Sequence, residues 1–178
     1  TPVACDGGSF TPAAPLADGS HTFHVSQIDL AGNAGPEATG QVTIDLIAPA
    51  PPQITAGPSG ATAQPAPRFE FEGEAGAGFR CAIDGDAAVA CDGGSFTPSG
   101  LLADGSHSFR VSQIDVAGNA GAAASREFAV DTTPPTAPRV TAGPVGPTRE
   151  ARPSFGFEGE PGASFRCAID GSPLVACD

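Results

Sequence analysis

Residues Leu102–Asn119 read LADGSHSFRVSQIDVAGN, and within them His107, Phe109 and Val111 alternate with Ser108, Arg110 and Ser112. Successive side chains on a strand point to opposite faces, so this order sends the apolar residues to one side and the polar ones to the other. The reading is a half-buried β-strand. Its phase blurs at Gln113-Ile114, where a β-bulge would absorb the slip. Asp104-Gly105 before the run and Ala117-Gly118-Asn119 after it are turn chemistry.

Working outward, strand signals recur at the short spacing expected of a sandwich. QITAGP (Gln53–Pro58) opens as an edge strand that Gly57-Pro58 breaks, and PRFEFEG (Pro67–Gly73) sets Phe69 and Phe71 against Arg68, Glu70 and Glu72. GFRCAIDG (Gly78–Gly85) aligns Phe79, Cys81 and Ile83 ahead of an Asp84-Gly85 turn. AVAC returns, GSFTP (Gly94–Pro98) is short and stopped by proline, and SREFAVD (Ser125–Asp131) closes the set with Phe128 and Val130. With the opening run these make seven strands, all β, with no capped helical run at a 3.6-residue period.

The pattern repeats. Val3, Val89 and Val175 are 86 residues apart (89 − 3 and 175 − 89), and residues 1–92 laid over 87–178 without a gap agree at 56 of 92 positions. A period this long is a small domain rather than a solenoid unit. Proline-rich seams, DLIAPAPP (Asp45–Pro52) and DTTPPTAP (Asp131–Pro138), end strands and make short stiff connectors. The expected organisation is therefore one intact domain at 48–134, flanked by the C-terminal half of a copy at 1–47 and the N-terminal half of another at 135–178.

Composition narrows the function classes. The chain has 178 residues, 24 Gly, 19 Pro, eight basic residues that are all Arg, and a formal charge of −12. That field repels phosphate backbones and anionic lipid, so nucleic-acid and membrane-surface partners are not expected. No 18-residue apolar run and no signal-peptide pattern lies within these residues.

The run LADGSHSFRVSQIDVAGNAG, followed by FAVDTTPPTAP and preceded by FRCAIDG, resembles the tandem bacterial immunoglobulin-like domains of secreted and cell-surface proteins, relatives in topology of fibronectin type III modules. The resemblance runs through the whole chain. It implies seven-stranded β-sandwiches that serve as rods, stalks, adhesin segments or accessory modules. The chain departs from antibody domains in having no Trp and no cysteine pair spaced across the sandwich. It also has no Tyr; His107, and His21 in the first partial copy, stand where the family often places a corner tyrosine, and an imidazole N–H can bond backbone in the same way.

The cysteines follow from hairpin geometry. Cys81 and Cys91 flank a reversal with its midpoint at residue 86, beside Asp84-Gly85, so they are expected to face each other as a disulfide, and Cys167 with Cys177 likewise. Cys5 aligns with Cys91 and Cys177, and its partner is expected before Thr1. Disulfides point to an oxidising, extracellular setting. Zinc needs four convergent ligands, and this spacing supplies two per domain.

Other chemistry is weighed against plainer readings. Ser106, His107 and Asp104 crowd one turn without a nucleophile elbow, and His24 is replaced by Arg110 one period on, so no catalysis is expected. Glu70, Glu72 and Glu74 form the solvated side opposite Phe69 and Phe71, and Gly156 replaces Glu70 in the next copy. Asp115, Asn119 and Asp131, with Asp29, Asn33 and Asp45 as counterparts, are candidate oxygen ligands for weak calcium binding, although Asp and Asn also nucleate turns. No other cofactor is expected. The glycines of CDGGSF read as a turn rather than a phosphate cradle, because no helix follows.

The expected function is non-catalytic: a spacer or stalk in a bacterial surface or secreted protein, whose partners are neighbouring repeats of the same chain. Adhesion to glycan or protein through the Ala117–Gly121 loop is the alternative, disfavoured by an aromatic inventory limited to Phe. An accessory domain of a secreted hydrolase is a third possibility. The late strands in the first partial copy and the early strands in the last also predict head-to-tail complementation between molecules.

Overall fold

The computed structural model describes Cys5 and residues 8–177, and among them it is all β, with fourteen strands and no helix. The chain forms two compact units, Thr1–Asp131 and Thr132–Asp178. In the first, β1 (Gly19–Val25) and β2 (Ala38–Ile44) make an antiparallel ribbon. A two-layer sandwich follows, built from β3 (Gln53–Ala56), β4 (Ala61–Thr62), β5 (Phe69–Glu72), β6 (Gly78–Ile83), β7 (Val89–Ala90), β8 (Ser95–Phe96), β9 (Gly105–Ile114) and β10 (Ala124–Val130). One layer has the order β3-β5-β8 and the other β4-β10-β9-β6-β7. The second unit holds two antiparallel pairs, β11 (Arg139–Ala142) with β12 (Gly156–Glu158) and β13 (Arg166–Cys167) with β14 (Val175–Ala176).

The alternation read from the sequence is what fills the sandwich. Phe69 and Phe71 from β5, Cys81 and Ile83 from β6, Phe109 and Val111 from β9, and Phe128 and Val130 from β10 are all buried in one cluster. Phe69 stacks on Phe109 with ring centroids 4.2 Å apart, and Phe96 stacks on the same ring at 5.7 Å. Aromatic contacts thus join the layers, where each ring contributes both area and a favourable quadrupole geometry. Gly57 sits at φ 122°, and a Cβ there would run into the Phe69 ring, so glycine is required on both counts.

The structure differs from the sequence reading in three places. An eighth strand segment, β4, pairs in parallel with the end of β10; at two residues it is too short to show alternation. No bulge interrupts β9: its pairing with β6 and β10 is continuous, and Gln113 keeps the inward phase as a buried polar residue. The register shift falls instead between Ile54 and Ala56 of β3, and again between Val140 and Ala142 of β11. Finally, Cys81 pairs with Val89 rather than directly with Cys91, whose N–H donates to the Phe79 carbonyl. The residue opposite Cys81 is thus two positions earlier than expected, and the reversal is centred on residue 85 instead of 86.

Candidate functional site

The hairpin of β6 and β7 is held at two points. Cys81 and Cys91 are bonded diagonally, with Cα atoms 5.9 Å apart, and both are buried in the core. Past the end of β6, Asp84 takes a left-handed conformation at φ 52°, which Asp tolerates better than most residues. That turn aims its carboxylate at the start of β9. Asp84 Oδ2 lies 2.6 Å from His107 Nδ1, and Oδ1 accepts the Ser108 N–H at 2.8 Å. His107 Nε2 donates to the Ala103 carbonyl at 2.8 Å, the corner bond expected of this histidine, and His21 makes the same bond to the Ala17 carbonyl at 2.8 Å.

Both ring nitrogens of His107 face acceptors, an arrangement that favours the doubly protonated, cationic form of the ring. The bond to Ala103 and then that to Asp84 raise the His107 pKa above its ordinary value, against an opposing push from burial. Burial pushes the Asp84 carboxyl upward, but the bonds from His107 and Ser108 and the imidazolium charge outweigh it and leave the pKa lowered. With both nitrogens engaged, His107 offers no general base to Ser106.

A second set of contacts lies at the other end of β9. Asp115 Oδ1 accepts the N–H groups of Ala117, Gly118 and Asn119 at 2.9, 2.7 and 2.8 Å, and Oδ2 accepts Asn119 Nδ2 at 2.9 Å. The Asn119 side-chain bond leads the effects that lower the Asp115 pKa, and Asp29 with Asn33 repeats the arrangement. Asn119 Nδ2 also donates to the Asp45 carbonyl at 3.0 Å. Gln113 Nε2 donates to the Ala50 carbonyl at 2.6 Å, while its Oε1 accepts the Glu74 N–H at 2.9 Å. Pro49 and Pro52 are buried. The first proline seam is thus packed onto the sandwich and hydrogen-bonded to it.

This geometry separates the calcium candidates. Asp115 and Asn119 share one turn with their polar atoms directed at each other and at backbone. Asp131 follows β10, whose end pairs with the start of β9, and so lies at the opposite end of the sandwich. No group of three or more His, Cys, Asp or Glu close enough to hold an ion occurs among the described residues. Glu70 and Glu72 lie exposed on β5, with Arg68 3.2 Å from Glu70. Gly93 and Gly94 form a turn, at φ 121° and 74°.

Gln113 was not among the candidates, since a glutamine in a strand carries no local signal of its distant partners. The sequence reading also passed over a groove of about 200 Å³ on the outer face of the five-stranded layer, lined by Arg80, Ala82, Asp86, Arg110, Ser112 and Ala123. Arg80 opposes Ser112 and Arg110 opposes Ala82, so the two arginines are diagonal neighbours on one face. One period earlier His24 and Glu37 stand at the positions of Arg110 and Ala123 and pair at 3.1 Å. Exchange of that glutamate for alanine leaves the groove open and Arg110 without the matching acid.

In the second unit, Cys167 and Cys177 are bonded as well, with Cα atoms 5.8 Å apart, and Cys5 is a free, half-buried thiol. The expected partner of Cys5 lies outside the described residues.

A family model described as bacterial Ig-like domain matches residues 3–46 and 55–132, together more than half of the chain. No curated protein matches the chain. Such domains are in general non-catalytic structural or adhesion-type modules, commonly extracellular, and the two disulfides fit that setting. The sandwich topology, its corner bond and the match through both repeat segments agree, and the chain belongs to the bacterial Ig-like domain family.

Proposed function

We propose that the chain is a structural spacer of an extracellular bacterial protein, secreted or surface-attached, in which each repeat holds its neighbour through the proline seam. The observation that carries this reading is the grip of Gln113 and Asn119 on the carbonyls of Ala50 and Asp45, with Pro49 and Pro52 buried beside them. Proline supplies stiffness along the seam, and the two side-chain bonds fix it to the domain that follows. Residual dipolar couplings test the joint. The β1–β2 ribbon and the β3–β10 sandwich should share one alignment tensor in the native chain and separate in a Gln113→Leu, Asn119→Ala variant. Two tensors in the native chain would sink the reading.

A second reading, ligand display, is favoured by the Arg80–Arg110 groove. Two guanidinium groups side by side in a chain of net charge −12 suit a carboxylate, which arginine binds through paired N–H donors. Titration with a glutamate-containing peptide should shift the amides of Ala82 and Ser112, and Arg110→Ala should abolish the effect. Unmoved amides in the native chain would exclude it.

A further inference from the structure

We propose that the Arg80–Arg110 groove is a docking surface for a second copy of this chain, which presents the carboxylates of Glu70 and Glu72 to it. This docking rests on the second reading above, that the groove takes carboxylate, and it names where that carboxylate comes from. Among the described residues neither Arg80 nor Arg110 has a hydrogen bond or an ion pair, whereas Arg126 donates to the carbonyls of Ile54 and Gly57. Two neighbouring cations without acceptors repel each other, and a pair of anions set against them relieves both.

The sandwich carries the matching anions on its opposite side. β5 is the middle strand of the three-stranded layer, with Phe69 and Phe71 buried and Glu70 and Glu72 exposed. Gln53 pairs with Glu72 and Ser95 with Glu70, so the neighbours of the two glutamates across the strands are polar. Alternate residues on one strand are about 6.5–7 Å apart and diagonal neighbours on adjacent strands about 7–8 Å, so the two carboxylates can meet the two guanidinium groups one to one. Ala82 and Ser112, which oppose Arg110 and Arg80, are small, and the floor between the arginines is low enough to admit the glutamate ends. Arg68 lies 3.2 Å from Glu70, but both side chains are at least half exposed, and such a surface pair is weak enough to open.

Both pairs occur together on the intact domain. One period on, Gly156 stands for Glu70, and one period back His24, tied to Glu37, stands for Arg110. The basic and acidic faces lie on opposite layers of the same sandwich, so the contact is heterologous and repeats, setting chains side by side with their 48–134 domains in register. The two facing surfaces are polar, and the contact works against the mutual repulsion of chains of charge −12. Salt at physiological strength screens that repulsion beyond about 8 Å, while groups in contact keep more of their attraction.

Heteronuclear NMR of the 178-residue chain at physiological ionic strength, from micromolar to millimolar concentration, tests the docking. The amides of Ala82 and Ser112 should shift with concentration together with those of Gln53 and Ser95, and an added glutamate-containing peptide should reverse the shifts of Gln53 and Ser95. Arg80→Glu with Arg110→Glu, and Glu70→Arg with Glu72→Arg, should each weaken self-association more than about tenfold, since like charges then face each other. Mixing the two double variants should restore the shifts, because each then meets its opposite. All four positions are exposed, so the core amides of Phe109 and Val111 should keep their native dispersion. Arg110→Gln, which removes only the charge, should weaken the same shifts without any reversal of sign on the face. Shifts with peptide but none with concentration overturn the docking and leave the carboxylate reading standing, whereas no response to either overturns both. Concentration-dependent shifts confined to other surfaces, or double variants that associate as the native chain does, also overturn the docking.

Discussion

Acceptors at both ring nitrogens favour the cationic form of a histidine, and His107 couples the corner of β9 to the turn after β6 through Asp84. Its folded pKa is raised, so its contribution to stability is complete below the ordinary histidine value of about 6.5 and is lost as pH rises through the raised one. Asp84 is lowered, so its contribution holds above the ordinary value of about 3.8 and is lost as pH falls through the lowered one. Thermal melts of the native chain should therefore be flat from this pair between those values and decline on the alkaline side. Asp84→Asn should flatten that decline, and His107→Gln should cost about 1 kcal/mol at pH 6, since glutamine keeps one of the two bonds and Asp84 is partly solvated. At the other end of β9, Gln113→Leu should cost about 1–2 kcal/mol by leaving the Ala50 carbonyl and the Glu74 N–H without their partner, measured by denaturant unfolding. The corner bond of His107 was legible because the turn before it is four residues away. The Gln113 bonds were not, because their partners lie 39 and 63 residues away.

Among the elements, the β6–β7 hairpin depends most on its cross-link. β7 is a two-residue edge strand with an exposed Val89, so few main-chain bonds hold it to the five-stranded layer. The disulfide closes a loop between residues separated by ten positions, which stabilises by about 2.5–3 kcal/mol on the chain-entropy estimate. Paired replacement by Cys81→Ala and Cys91→Ala should lower sandwich stability by that order. Hydrogen exchange should locate the effect, with the Cys91 amide losing protection before those of β9 and β10. The pairing was readable from spacing, but its diagonal geometry was not, because a two-residue change in register keeps both cysteines on the core face while altering which residues oppose each other. The register shift was placed in the wrong strand for a related reason. A buried glutamine in β9 breaks the apolar pattern without moving the backbone, whereas the shift in β3 leaves no mark on so short a run.

For the whole molecule, the repeat provides an internal control. Phe109 and Phe23 occupy equivalent positions, one fully buried and one half-exposed. Phe109→Ala should cost about 3–5 kcal/mol, and Phe23→Ala about 1 kcal/mol or less, read from urea midpoints. The same residue type in the same local sequence thus takes its energetic weight from whether a second layer covers it. From sequence alone came the β class, the inward faces of the long strands, the cysteine pairs, the corner histidine and the seams. Each follows from short-range geometry: a side-chain period of two, a hairpin's reach, or proline's missing donor. Only the tertiary structure decided that Gln113 and Asn119 grip the seam, that Asp131 is carried away from Asp115, and that Arg80 and Arg110 share a groove. Those depend on which strands become neighbours, and contacts between residues as far apart as Asp45 and Asn119, separated by 74 positions, exist only once the sheets have closed.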